Sequence, residues 1–392
     1  MATAEDTGLE GRLTRWLRGR MRAEAGTPVH AVRVHDLHKA GVGQSSETTM
    51  FDASWTQDGR PYRGQFVLRL QQGLDGIFMR PDAAREFRVL AALRSHSQVP
   101  VPRVRWLEQR ADVLGAPFFV MERVSGVVPS GKPSTHAVGW LPTLDPAQRR
   151  ALWQSAIDTL AAVHAVDWRR SHAFLHPDPD TQPGLESHLD HTARWYRWAT
   201  RGRAFPITDT ALDYLLDHRR SVRPGEPVLL WGDARLGNTM FSRERPPTVV
   251  AVLDWEVATI GPAAVDVAHW LIFDEFATSA CGVRRLAGYP DRAETIARYE
   301  AVSGRALDDI EYFETLQCLF LATTLIRQTD AAVNSGRFHA ATRMAHDNTV
   351  TQMLARRLGL PEPELAEDYL RHRQPACSVP SSEGERFMGS GQ

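Results

Sequence analysis

Apolar positions along the chain change their period several times, and each change marks an element. Near the start Leu9, Leu13, Trp16, Leu17 and Met21 recur at helical spacing, which predicts a helix laid on the body of the protein, with a helix on a membrane surface as the other reading. Residues 31–37, 48–55 and 66–70 then suit three strands, the second turning towards the third at Asp58-Gly59. Residues 81–95 return to the helical period, starting at Pro81 and placing Ala83, Phe87, Leu90 and Ala91 on one face. Two further strands, 101–107 and 117–124, flank the turn at Gly115-Ala116.

Beyond residues 127–144, which are rich in Pro, Gly, Ser and Thr, the pattern becomes helical. Asp145 as a cap and Pro146 in the first turn open a long helix carrying Leu152, Ala156, Leu160, Val163 and His164. Further helices are predicted over 263–273, 291–302, 308–327 and 338–358. Between them lie two short apolar runs, 228–230 and 249–253, each ending in polar residues that a buried strand would not carry. Strands first and helices afterwards make an α+β protein with two lobes. Its expected parts are an N-terminal helix in 1–30, a first lobe over 31–124, a second lobe over 125–373, and a disordered tail over 374–392.

Composition narrows the class. At 392 residues with 43% apolar side chains, the chain has enough material for more than one core. A net charge of -1 gives no reason to expect nucleic acid or an anionic membrane as partner. No run approaches the ~18 apolar residues of a membrane span, and the N-terminal stretch lacks the apolar centre of a secretory signal. Cys281, Cys318 and Cys377 stand far apart, which fits a reducing, cytoplasmic setting better than a disulfide or zinc framework. The oligomeric state is left open.

The chemistry gathers at the ends of the two short runs. Gly232-Asp233 and Asn238 follow the first, and Asp254 ends the second. Two carboxylates and a carboxamide thus converge, as phosphoryl transfer requires: Asp233 to orient an attacking hydroxyl, Asn238 and Asp254 as oxygen ligands for Mg²⁺. Upstream, the loop after the first strand carries Gly41, Gly43, Ser45 and Ser46, and its backbone N–H groups would lie over the phosphates. The third strand sets Arg69 where kinases carry a lysine. The chain's two lysines, Lys39 and Lys132, lie elsewhere, so a bidentate guanidinium would grip the phosphates instead. The strand over 117–124 stops being apolar at Glu122, and the backbone of Glu122 and Val124 would meet the adenine edge. A solvated strand arginine is the alternative reading of Arg69.

These residues also carry a resemblance. Trp231-Gly232-Asp233-Ala234-Arg235-Leu236-Gly237-Asn238, Leu253-Asp254-Trp255-Glu256 and Asp266-Val267-Ala268 are similar to the motifs of the aminoglycoside phosphotransferase and choline kinase family, near its branch fused to acyl-CoA dehydrogenases. The resemblance implies a protein-kinase-like bilobal fold, ATP or GTP with Mg²⁺ as cofactors, and a small-molecule alcohol as substrate. It further implies that Glu86 pairs with Arg69 and that Asp266 braces the catalytic loop, although an exposed helix glutamate remains the other reading of Glu86. The family's loop reads H-G-D-x-x-x-x-N. Trp231 in place of His bears on loop geometry and rate more than on reaction type.

A catalytically weak pseudokinase or nucleotide-dependent binding module is the alternative function, favoured by Trp231 and Arg69 and opposed by the complete Asp-Asn-Asp set. A doubly wound hydrolase or dehydrogenase is opposed by the absence of a G-x-S-x-G elbow and of a G-x-G-x-x-G opening a helix. His164 is expected to pack on its helix. His172, His176, Asp178, Asp180, His188 and His191 read as solvated polar surface rather than as a metal site. Trp195, Tyr196 and Trp198 either pack between helices or line a substrate mouth, and Asp274 and Glu275 are candidate cleft carboxylates. So few acidic candidates disfavour a polycationic aminoglycoside and favour a neutral or anionic hydroxylated metabolite; the resemblance to the branch fused to acyl-CoA dehydrogenases suggests a hydroxyacyl compound.

Overall fold

The computed structural model describes residues 8–24, 26–39, 47–71, 73, 76–131, 134–176 and 180–373. Helix α1 (Leu9–Glu24) buries Leu13, Trp16, Leu17 and Met21, the stripe its spacing predicts. That stripe lies on a five-stranded antiparallel sheet built from β1 (Val29–Lys39), β2 (Glu47–Gln57), β3 (Arg60–Leu70), β4 (Val104–Glu108) and β5 (Phe118–Glu122), in the order β1-β2-β3-β5-β4. The Trp16 indole N–H donates to Glu108 Oε2 at 2.8 Å, tying α1 to the β4 edge. Strands β2 and β3 pair without a slip from Glu47↔Leu70 to Gln57↔Arg60. Asp58 and Gly59 turn the chain between them, both with positive φ, the two-residue hairpin geometry that matches strand twist.

Because side chains alternate across a strand, the sheet serves two cores. Phe118 and Val120 face α1 with Phe51, Phe66 and Leu68. Phe119 faces the other way, against helix α2 (Ala83–His96) and the core of the larger lobe. Asp82 caps α2 by accepting from the Arg85 N–H at 3.0 Å. The 101–107 strand begins only at Val104, since Pro100 and Pro102 lack the N–H that a ladder needs.

The larger lobe is helical. It contains α3 (Pro146–His164), α4 (Trp168–Ser171), α5 (Leu185–Thr200) and α6 (Pro206–His218), then α7 (Ala264–Ala277), α8 (Arg292–Ser303), α9 (Ile310–Asn334), α10 (Thr349–Leu358) and α11 (Glu367–Arg373). Between α6 and α7 run β6 (Pro227–Leu230), β7 (Thr239–Phe241), β8 (Val249–Val252) and β9 (Thr259–Pro262), paired as β6 with β9 and β7 with β8. Asp145 and Gln148 close the capping box that opens α3. The helix expected over 308–327 continues to Asn334, and the one expected over 338–358 starts at Thr349. Asn348 decides that start, its side chain accepting from the backbone N–H groups of Val350 and Thr351.

The lobes are stapled where the chain crosses. Val127 and Phe241 exchange both backbone hydrogen bonds at 2.8 Å, which lays the crossing on β7. A Cβ on Gly126 would stand 2.7 Å from the Phe241 carbonyl, so the close approach requires glycine. Among the described residues no helix is long and apolar enough to cross a membrane. The tail expected over 374–392 lies outside the described residues.

Candidate active site

Strand β6 is buried from Val228 to Leu230 and delivers Trp231, Gly232 and Asp233 at its end. Gly232 has φ of 90°, and a Cβ there would stand 2.6 Å from the Val257 carbonyl; glycine alone permits that turn. Asp266, fully buried in the first turn of α7, accepts the N–H of Trp231 at 2.7 Å and of Gly232 at 2.9 Å. His164 lies 3.1 Å from the same carboxylate and, through Nδ1, 2.7 Å from the Tyr299 hydroxyl. It packs as the sequence suggested, and it also supports Asp266. The Trp231 indole N–H donates to the Leu253 carbonyl at 2.7 Å, so the tryptophan links the Asp233 loop to the residue before Asp254.

Asp233 is held on both oxygens. Oδ1 accepts from Arg235 Nε and His269 Nε2, each at 2.9 Å, and Oδ2 accepts from Asn238 Nδ2 at 2.5 Å. Burial pushes this carboxyl up, but Arg235 and His269 outweigh it and hold Asp233 well below the usual carboxylate range. It is therefore ionised at any physiological pH.

Across the cleft, Arg69 on β3 donates to Glu86 on α2 at 3.0 and 3.3 Å, to Asp254 at 2.8 Å and to the Thr48 hydroxyl at 3.2 Å. Burial lowers its basicity, but Glu86, Asp254 and Glu256 more than compensate and hold the guanidinium above its ordinary range. Asp254 sits just past β8 with φ of 60°, a left-handed conformation that is costly for a residue bearing a Cβ. From the small lobe, Arg85 reaches the carbonyls of Glu256 and Ala258 and fastens α2 to the chain that follows Asp254.

The donor set fits a hard cation. Asn238 turns its NH₂ towards Asp233, so Asn238 Oδ1 and Asp254 Oδ2 keep no hydrogen bond among the described residues. Mg²⁺ would need only one or two protein oxygens, with phosphates and water completing its shell. Arg69 Nε is buried and has no acceptor among the described residues, which leaves that N–H for an anion to meet.

Arg69, Glu86, Asp233, Asn238, Asp254 and Asp266 are thus brought together. Gly43, Ser45 and Ser46 lie outside the described residues, as does Asp178. Glu122 ends β5; its N–H goes to the Arg103 carbonyl at 2.8 Å and its carboxylate to Arg105 at 2.8 Å, leaving Val124 just beyond the sheet. The candidate substrate residues fare differently. Trp195 is buried between Phe78 and Phe320, its indole N–H on the Ile77 carbonyl at 3.1 Å, so it packs rather than lines a mouth. Asp274 pairs with Arg285 through Oδ2 and has His136 Nε2 3.5 Å from Oδ1, and Glu275 pairs with Arg357, so an arginine balances the charge of each. His269 and Gln317 escaped the sequence reading, although His269 stands three residues after Asp266, on the same helical face.

The sequence profile of the phosphotransferase enzyme family matches residues 50–300. The chain belongs to this family. The fold and the phosphotransferase family are those the motifs led one to expect. Among curated relatives of this phosphotransferase, mouse acyl-CoA dehydrogenase family member 10 is 32% identical over 187 residues, which are 47% of this chain and 16% of that protein. Human acyl-CoA dehydrogenase family member 11 is 28% identical over 247 residues, 60% of this chain and 30% of that protein. The chain thus spans less than a third of the length of the curated relatives it matches. Among solved structures, a putative aminoglycoside phosphotransferase from Ralstonia eutropha JMP134 superposes with a TM-score of 0.62 at 24% identity, covering 89% of this chain and 97% of that one. A macrolide 2'-phosphotransferase type I gives 0.52 at 20% identity, covering 86% and 94%. At such identities the likeness is one of fold.

Proposed function

We propose that this phosphotransferase moves the γ-phosphoryl group of ATP, or of GTP, to a hydroxyl of a small neutral or anionic metabolite. The observation that carries the reading is the meeting of Asp233, Asn238 and Asp254 with the Arg69–Glu86 pair at one place between the lobes. Asp233 accepts the acceptor's hydroxyl proton as that oxygen bonds to the γ-phosphorus and the bond to the departing diphosphate breaks. Arg69, kept in place by Glu86, grips the phosphates, and the Glu122 to Val124 backbone meets the base. Asn238 and Asp254 would hold Mg²⁺, which when bound neutralises phosphate charge. Asp266 keeps the Asp233 loop in shape.

The acceptor class follows from charge. An aminoglycoside carries several ammonium groups and calls for a cleft rich in unpaired carboxylates, whereas Asp274 and Glu275 are already neutralised by arginines. One fold neighbour is an aminoglycoside phosphotransferase in ternary complex with ADP and hygromycin B, at TM-score 0.51 and 16% identity; its substrate does not transfer at that distance. The acyl-CoA dehydrogenase relatives instead point to a hydroxyacyl compound. A coupled ATP-consumption screen across hydroxyacyl-CoA esters, sugars, choline-like amines, macrolides and aminoglycosides tests this. Turnover of a hydroxyacyl ester that Asp233→Ala abolishes, with nucleotide affinity changed by no more than about threefold, is expected. Saturable phosphorylation of an aminoglycoside overturns the acceptor class, and turnover retained in Asp233→Ala overturns the base.

A further inference from the structure

His269 is fully buried on α7, between Asp233 on one side and Gln317 of α9 on the other. Its Nε2 is 2.9 Å from Asp233 Oδ1 and its Nδ1 is 2.8 Å from Gln317 Oε1. The rings of Phe273 and Phe320 flank it, with centroids 4.8 and 5.6 Å away, so the imidazole cannot turn. Oδ1 serves as an acceptor here, already taking the Arg235 Nε–H, so Nε2 is the donor of the 2.9 Å bond. Nδ1 meets the Gln317 amide, which holds the far side of the ring.

The hydrogen bonds around Asp233 are uneven. Oδ1 receives two donors, His269 and Arg235, which fill its two lone-pair directions; Oδ2 receives one, Asn238. Arg235 is partly exposed, at 30% of its side chain, and a long exposed arginine follows a charged ligand. His269 has no such freedom. We propose that His269 is a positioning residue of the phosphotransfer: by donating Nε2–H to Oδ1 it fixes the Asp233 carboxylate so that the open lone pair of Oδ2 meets the acceptor hydroxyl. The inference rests on Asp233 being the base. His269 touches neither nucleotide nor acceptor, and Gln317 acts one step further back by fixing the ring's tilt.

The test compares wild type, Asp233→Ala, His269→Phe, His269→Gln and Gln317→Leu for kcat, KM for ATP and Tm. ATP turnover is followed with the acceptor that the screen identifies, or with water where none does. His269→Phe keeps the ring volume and loses the donor, whereas His269→Gln brings an amide N–H near the place of Nε2. The expected result is a loss of about 10- to 100-fold in kcat for His269→Phe with KM for ATP within about threefold, substantial recovery in His269→Gln, and a smaller loss in Gln317→Leu. A purely structural role would lower Tm and spare kcat of the folded fraction. Should His269→Phe not fold, His269→Gln and Gln317→Leu decide: full activity in Gln317→Leu together with an inactive His269→Gln overturns the proposal. It is overturned equally by a folded His269→Phe with wild-type kcat while Asp233→Ala is inactive, an outcome that leaves the base assignment standing. If wild type and Asp233→Ala are alike, the base assignment falls, and the positioning role with it.

Discussion

Arg69 shows how one side chain settles several questions at this site. It stands on the sheet face opposite Leu68, so strand alternation aims it at α2 and the cleft rather than at the α1 core. Two carboxylates receive it, Glu86 from its own lobe and Asp254 from the other. Glu86→Ala leaves a buried guanidinium short of one partner and is expected to cost about 3 kcal/mol; Arg69→Ala strands two carboxylates and costs a similar amount. The double variant should lose clearly less than the sum in both unfolding free energy and kcat/KM, because the pair acts as a unit. Strict additivity in a double-mutant cycle would mark two unrelated charges. At this scale the sequence was legible where the signal is local. Asp233, Asn238 and Asp254 announce themselves by falling at the ends of apolar runs. His269 and Gln317 do not, since their bonds span 36 and 48 positions and no pattern within one element registers such a contact. Trp231 was legible as a departure but not as a solution: its indole N–H on the Leu253 carbonyl joins the two loops.

At the scale of elements, the apolar period located the five strands of the sheet, β6, β8, α2, α3 and α7 but not β7, β9 or α6, and some ends were set by single residues. Asn348 starts α10 by accepting two backbone N–H groups and the prolines delay β4 by lacking theirs; a periodic pattern weighs neither. Helix α5 carries the clearest pH consequence. His188 packs against Gly261 of β9, and burial, helped by His191, lowers its imidazole from 6.5 to about 4. On acidification the unfolded chain takes up a proton below about 6.5, whereas the folded chain resists until about 4. Stability is therefore full at neutral pH and is lost as pH falls through that window. The full shift would correspond to about 3 kcal/mol, and the ring's partial exposure reduces this to roughly 1–2 kcal/mol. Urea unfolding at pH 7.5 and pH 5 should show a smaller loss for His188→Gln than for wild type; equal losses would assign the acid sensitivity elsewhere.

At the scale of the whole molecule, two lobes follow from the strands-then-helices order, but the bonds that set them against each other do not. Phe119 and α2 belong to the larger core, Arg85 fastens α2 beyond Asp254, and Arg69 reaches Asp254 itself. The cleft is thus closed by a cation from the small lobe on a carboxylate from the large one. On the proposed reading a metal-bound nucleotide would exploit that contact, with Asp254 Oδ2 and Asn238 Oδ1 towards Mg²⁺ and the buried Arg69 Nε towards a phosphate. A ligand held by both lobes stabilises the folded chain by about 2.7 kcal/mol at a hundred times its dissociation constant. Thermal unfolding with ATP should therefore shift upward, and further when Mg²⁺ is added. Asp254→Ala lowers the starting Tm by removing an Arg69 partner, yet its informative effect is on the increment: the added shift from Mg²⁺ should vanish while the shift from ATP alone persists through Arg69 and the Glu122 to Val124 backbone. An undiminished Mg²⁺ increment in Asp254→Ala would remove Asp254 from the metal, and loss of the ATP shift as well would mean that Asp254 acts chiefly by holding Arg69.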